Sequence, residues 1–134
     1  AGVLAADSGA NIGSMTLPET VTKVRRLRDG RLFAWTGKIG LGERVFAAMN
    51  KRMAPPKMGE GEGCAIVVDT KGRIFTYEDD ALIRTYGHYT ARGSGKEYAF
   101  GALAMGATAV EAIKVARSLD HGTSGRIRTV TLRG

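Results

Sequence analysis

A chain of 134 residues has room for one domain with a real core, and none for a second. An apolar fraction of 43% and a charged fraction of 25% are ordinary for a globular protein, and no apolar run approaches the length of a membrane span. The net charge of +7 raises the question of nucleic acid, but no zinc-ligand spacing, aromatic RNA-binding signature or recognition-helix pattern accompanies it, so a solvated basic surface is the preferred reading.

Residues 2–7 are small and apolar and predict a buried strand, whereas residues 8–19, rich in Gly, Asn, Ser and Pro, read as loop. Residues 20–27 alternate, with Val21, Lys23, Arg25 and Leu27 on one face. Asp29-Gly30 signals a hairpin turn and residues 31–36 return as the partner strand. From 39 to 53 the period becomes helical, with Leu41, Val45, Phe46 and Met49 on one face and Pro55-Pro56 as the stop. Residues 65–69 and 73–77 form a second hairpin around Lys71-Gly72, and 81–86 can add a further strand. Ser94-Gly95-Lys96-Glu97 and Thr108-Ala109-Val110-Glu111 each fit a capping box. The second predicts a helix to Leu119 with Val110, Ile113 and Leu119 facing inward, and residues 126–133 alternate as a last strand. Hairpins with helices grouped between them predict an α+β layered domain.

Residues 1–7 lack a basic flank and are too short for a signal peptide. The single cysteine, Cys64, has no disulfide partner within the chain and sits in a strand-like Cys-Ala-Ile-Val-Val run, so a reducing, cytoplasmic compartment is expected. His88 and His121 supply too few ligands for a metal site and stand in no recognisable nucleophile setting. Neither a Gly-x-Ser-x-Gly elbow nor a phosphate-binding Gly-Lys-Ser/Thr occurs.

Five local patterns remain, in order along nearly the whole chain. Val3-Leu4-Ala5-Ala6-Asp7-Ser8 ends a strand in an aspartate, and Thr22-Lys23-Val24-Arg25-Arg26-Leu27 presents a lysine sixteen positions after Asp7. Phe33-Ala34-Trp35-Thr36-Gly37 closes a strand on glycine, Arg92-Gly93-Ser94-Gly95 opens an Ala-rich helix, and residues 119–125 carry Asp120-His121-Gly122-Thr123. Together they resemble the proteasome β-subunit and bacterial HslV-type peptidases, a family of N-terminal-nucleophile (Ntn) hydrolases. The resemblance implies a four-layer αββα sandwich of antiparallel sheets over residues 1–134 and a threonine-type peptidase subunit of a self-compartmentalising ring. Peptides or unfolded polypeptides would be its substrates, and no metal or organic cofactor is implied.

By the same resemblance, Asp7 and Lys23 would tune the nucleophile, Gly37 would serve the oxyanion hole, and Ser94, Asp120 and Thr123 would support the terminal amine. The chemistry is reasonable in its own right. A terminal threonine carries hydroxyl and amine on one residue, so the amine can act as general base. A neighbouring ammonium stabilises the developing alkoxide and disfavours protonation of that amine. Each residue also has a plainer role: Ser94 as a helix N-cap, Asp120 and Thr123 as turn residues, Gly37 as a helix-start residue.

Two features depart from the family pattern. The chain starts at Ala1, which has no hydroxyl, and Ser8 and Thr16 are poor internal substitutes. The expectation is that the nucleophilic threonine and its strand lie upstream, since without that strand an apolar edge stays unpaired. Between Gly37 and Cys64 there is room for one helix where larger relatives carry two, which leaves an ATPase unfoldase partner in question. The competing readings are a non-catalytic ring or scaffold subunit of the same fold and a basic nucleic-acid-binding module.

Overall fold

The structure, a computed structural model, describes residues 2–7, 10–12, 15–17 and 22–132. Its centre is a five-stranded antiparallel sheet in the order β4 (Val24–Arg26), β5 (Leu32–Gly37), β6 (Gly63–Val68), β7 (Ile74–Glu78) and β8 (Ala81–Thr85). Two tight turns set its register. Leu27 N donates to Arg31 O and Gly30 N to Leu27 O, with Gly30 at φ 94°. The same pattern recurs where Asp69 N donates to Arg73 O and Gly72 N to Asp69 O, with Gly72 at φ 83°. Glycine adopts that left-handed backbone without steric cost, which is why the Asp-Gly and Lys-Gly signals read true.

Strand β5 is buried on both faces and divides the core in two. Phe33 and Trp35, with Ala65 and Val67 of β6, meet Leu41, Val45 and Met49 of helix α1 (Ile39–Asn50). Leu32 and Ala34, with Val68, point the other way and meet Leu4 and Val24. Leu4 belongs to β1 (Val3–Ala6), which pairs antiparallel with β9 (Arg128–Thr131) in a second sheet. Outside that sheet lie α2 (Lys96–Ala104) and α3 (Ala109–Leu119), with α3 against β1. The order is helix, sheet, sheet, helices: the αββα sandwich the family resemblance implied. Phe33 is fully buried and makes an edge-to-face contact with Phe46 of α1 at 5.3 Å. Phe33→Ala is therefore expected to cost about 4 kcal/mol in urea unfolding.

Several local expectations are corrected. The stretch 8–19 is not all loop, because β2 (Ala10–Ile12) pairs with β3 (Met15–Leu17) in register Ala10↔Leu17. Three-residue strands are too short for periodicity to reveal. Val21 and Ser8 lie outside the described residues. Helix α1 ends at Asn50, before the prolines, where the Lys51 N–H caps carbonyls of the last turn and Arg52 turns to φ 54°. Ser94 is not an N-cap; the helix starts one residue later, Gly95 holds the cap position with no side-chain cap, and the Ser94 hydroxyl donates to the Asp120 carboxylate.

The Thr108 capping box does form, Thr108 Oγ1 accepting from Glu111 N at 3.2 Å and Glu111 Oε1 from Thr108 N at 2.8 Å. Leu119, though, faces solvent at 61% exposure. The inward face of α3 is built on Ala112 and Ala116, which pack with Ala99 of α2 and Ala91 at the short distance that alanine permits.

Candidate active site

Strand β1 runs toward Asp7, and the chain re-enters the sheet at Lys23, just ahead of β4. Because β1 packs across β4, the two side chains meet between the sheets. Lys23 Nζ donates to Asp7 Oδ1 at 2.9 Å, with side-chain exposures of 14% and 13%. The second carboxylate oxygen, Asp7 Oδ2, accepts the backbone N–H of Ser124 at 2.9 Å. Both oxygens are thus engaged, which fixes the carboxylate plane and so the position of the ammonium.

The loop after α3 forms a second cluster. Ser94 Oγ donates to Asp120 Oδ2 at 2.6 Å, and Thr123 Oγ1 donates to the same oxygen at 2.8 Å. These bonds, the Ser94 bond foremost, hold the Asp120 carboxyl below its ordinary value against the opposing effect of burial. A hydroxyl that donates to a carboxylate keeps its lone pairs free to accept from a third group. The Ser124 N–H ties this loop to Asp7, so the two clusters form one network.

A cavity of about 140 Å³ lies between β1, β5 and the α2–α3 layer. Asp7, Lys23, Ser94 and Thr123 line it, together with Thr36 and Cys64. Burial pushes the Cys64 thiol up, away from the reactive thiolate form. Asp120 stands directly behind the lining, its Oδ2 3.2 Å from where a Cβ on Gly122 would fall.

Like Asp120, Gly37 is a predicted residue that the structure leaves outside this lining. It closes β5 next to Thr36 at φ 108°, and a Cβ there would lie 2.2 Å from Glu62 O. Gly93, at φ 107°, approaches from the other side, where a Cβ would be 3.0 Å from Thr36 Oγ1. Residue-by-residue reading missed the Ser124 N–H. A backbone donor leaves no trace in residue type, although its place one residue past Thr123 put it in the right loop. Among the described residues, no three His, Cys, Asp or Glu side chains are grouped to hold a metal ion.

The Asp120 network gives a signed pH dependence. Since its folded pKa is depressed, its contribution to stability is complete above the unfolded carboxylate value of about 3.9. That contribution is lost as pH falls through the lower folded value. Wild-type urea midpoints are expected to drop below about pH 4 more steeply than those of Asp120→Asn, measured between pH 6 and pH 2.5.

No protein-family model matches the chain. It is 28% identical over 167 aligned positions to proteasome subunit beta 1 of Thermococcus kodakarensis, an alignment covering 97% of this chain and 82% of that protein. Its fold is similar to eukaryotic HslV from Trypanosoma brucei, with a TM-score of 0.73, 19% identity, and coverage of 98% of this chain and 93% of that one. It is also similar to Thiobacillus denitrificans BPH in complex with epoxomicin, with a TM-score of 0.72, 16% identity, and coverage of 98% and 93%. Likeness in sequence to a proteasome β-subunit along nearly the whole chain, joined to a fold shared with HslV, supports the resemblance to the proteasome β-subunit and HslV family of N-terminal-nucleophile hydrolases.

Proposed function

We propose that the chain is the peptidase subunit of a ring-shaped, proteasome-like assembly, and that its nucleophile is a threonine ahead of Ala1 in the mature protein. The observation that carries this reading is the linked network of Lys23, Asp7, Ser94, Asp120 and Thr123 around one cavity. A threonine N-terminus entering that cavity would find an ammonium for its alkoxide and hydroxyl oxygens for its amine. Attack of the Thr hydroxyl on a peptide carbonyl gives an acyl-enzyme ester and releases the amine fragment. Water then cleaves the ester and returns the hydroxyl.

In this reading Gly37 serves the oxyanion through its N–H. Its place one residue beyond the cavity wall supports a role at the edge of the site, where a substrate strand would lie. Substrates are peptides or unfolded chains, the compartment is the cytoplasm, and repeated head-to-tail contacts between copies close the ring.

The test is fluorogenic peptide hydrolysis by the mature native protein, with and without epoxomicin, the compound in the complex of the structurally similar Thiobacillus protein. Hydrolysis that epoxomicin abolishes supports the proposal. A fully assembled ring that neither hydrolyses peptide nor takes up epoxomicin would favour a scaffold subunit instead.

A further inference from the structure

The net charge of +7 is not spread evenly over the fold. Two hairpin turns and the end of α1 converge at one end of the five-stranded sheet. Arg28 N donates to Asn50 Oδ1 at 2.8 Å, and Arg52 pairs with Asp29 at 3.3 Å, which brings the C-terminus of α1 to the first turn. A Cβ on Gly30 would be 3.3 Å from Thr70 Cγ2, so the two turns touch. The segments 26–31, 50–52 and 69–73 carry seven Lys and Arg against two carboxylates, Asp29 and Asp69. Both carboxylates are occupied within the patch, Asp29 by Arg31 and Arg52, and Asp69 by Arg73.

Arg28, Lys51 and Lys71 are exposed, with no ion pair among the described residues. Between the turns a recess is lined by Arg26, Arg28, Gly30, Thr70 and Leu132. Arg26 spends one Nη on Thr131 O at 2.7 Å, which fixes its guanidinium at the recess wall with donors to spare. Five residues of chain separate Arg28 from Lys23, roughly 16 Å at strand rise, so the basic end lies away from the catalytic network.

We propose that this basic end is a docking surface for an acidic polypeptide segment, one of whose carboxylates enters the recess between Arg26 and Arg28. Planar guanidinium groups match carboxylates through paired hydrogen bonds, and the exposed lysines extend the attraction to neighbouring acidic residues. The features favour a polypeptide over nucleic acid. Single-stranded nucleic acid needs a row of aromatic platforms beside its cations. One exposed aromatic, Tyr86, follows the end of β8 that pairs with Ile74, and the Arg84 guanidinium already lies over its ring at 4.5 Å. The surface does not depend on the peptidase reading, because it shares none of that site's residues.

The test uses a fluorescein-labelled peptide of ten glutamates and the native protein, followed by fluorescence anisotropy at 50 and 300 mM NaCl. Binding at low salt that weakens about tenfold at high salt is expected. The double substitution Arg28→Ser with Lys71→Ser should weaken it a further five- to tenfold or so at low salt, with an unchanged thermal midpoint. Lys114→Ser, an exposed cation on α3, should leave binding unaltered. Absence of binding at 50 mM, or an equal loss with Lys114→Ser, overturns the proposal. Tighter binding of a single-stranded oligonucleotide than of the glutamate peptide overturns it in favour of nucleic acid.

Discussion

Lys23→Ala is expected to lower kcat for peptide cleavage by the mature protein about 10²- to 10³-fold, with a much smaller effect on stability. A fixed charge aimed at a developing alkoxide contributes on the scale of an oxyanion donor, because its field is already organised when the reaction begins. The stability cost is limited, about 1–2 kcal/mol, since Asp7 keeps the Ser124 N–H and the cavity admits water to the freed oxygen. Asp7→Ala should behave differently. It leaves the ammonium without its partner and releases the 119–125 loop, so a larger loss of stability, about 3 kcal/mol, accompanies the loss of rate. Measuring kcat and the urea midpoint on both variants separates the two effects. A Lys23→Ala enzyme with wild-type kcat would remove lysine from the mechanism.

Gly37→Ala should be among the most destabilising single methyl additions in the fold, at about 3 kcal/mol or more. Two independent costs combine at this position. The backbone sits at φ 108°, where an L side chain is strained, and the new Cβ would lie 2.2 Å from Glu62 O and 2.4 Å from Gly63 Cα. Neither neighbour is a flexible side chain, so β5 and β6 would have to part at their Gly37↔Gly63 pair. Gly61→Ala makes a useful control, since it shares the positive φ, at 76°, but has open space around it. The difference in urea midpoint between the two variants isolates the contact from the backbone strain.

The framework was legible in the sequence wherever one signal acted alone. The two Asp/Lys–Gly turns, the 3.6-residue period of Leu41, Val45 and Met49, and the alternation around Val24 all correspond to observed turns, helix face and core. Where the element boundary lay one residue from the expected place, local reading missed it. Ser94 fitted a capping box by spacing, but the helix takes Gly95 as its N-cap and the Ser94 hydroxyl donates to Asp120, a partner twenty-six residues away that spacing does not reveal.

Leu119 followed the apolar pattern, yet the helix pair closes on alanine, and that choice depends on how near α2 approaches, which is a tertiary fact. In the site, the Asp7–Lys23 spacing pointed to a pair that the fold does form. What could not be read was the Ser124 N–H that joins the pair to Ser94, Asp120 and Thr123. Backbone donors are placed by loop conformation rather than by residue type.

In the proposed peptidase, a threonine amine and hydroxyl occupy the cavity that Lys23, Ser94 and Thr123 line. The intact mass and N-terminal sequence of the mature native protein test it most directly. A mass above 14.2 kDa and a first residue that is threonine, upstream of Ala1, are expected. A mature protein that begins at Ala1 would contradict the peptidase reading, and would make the chain a subunit that keeps the fold and its network without the nucleophile.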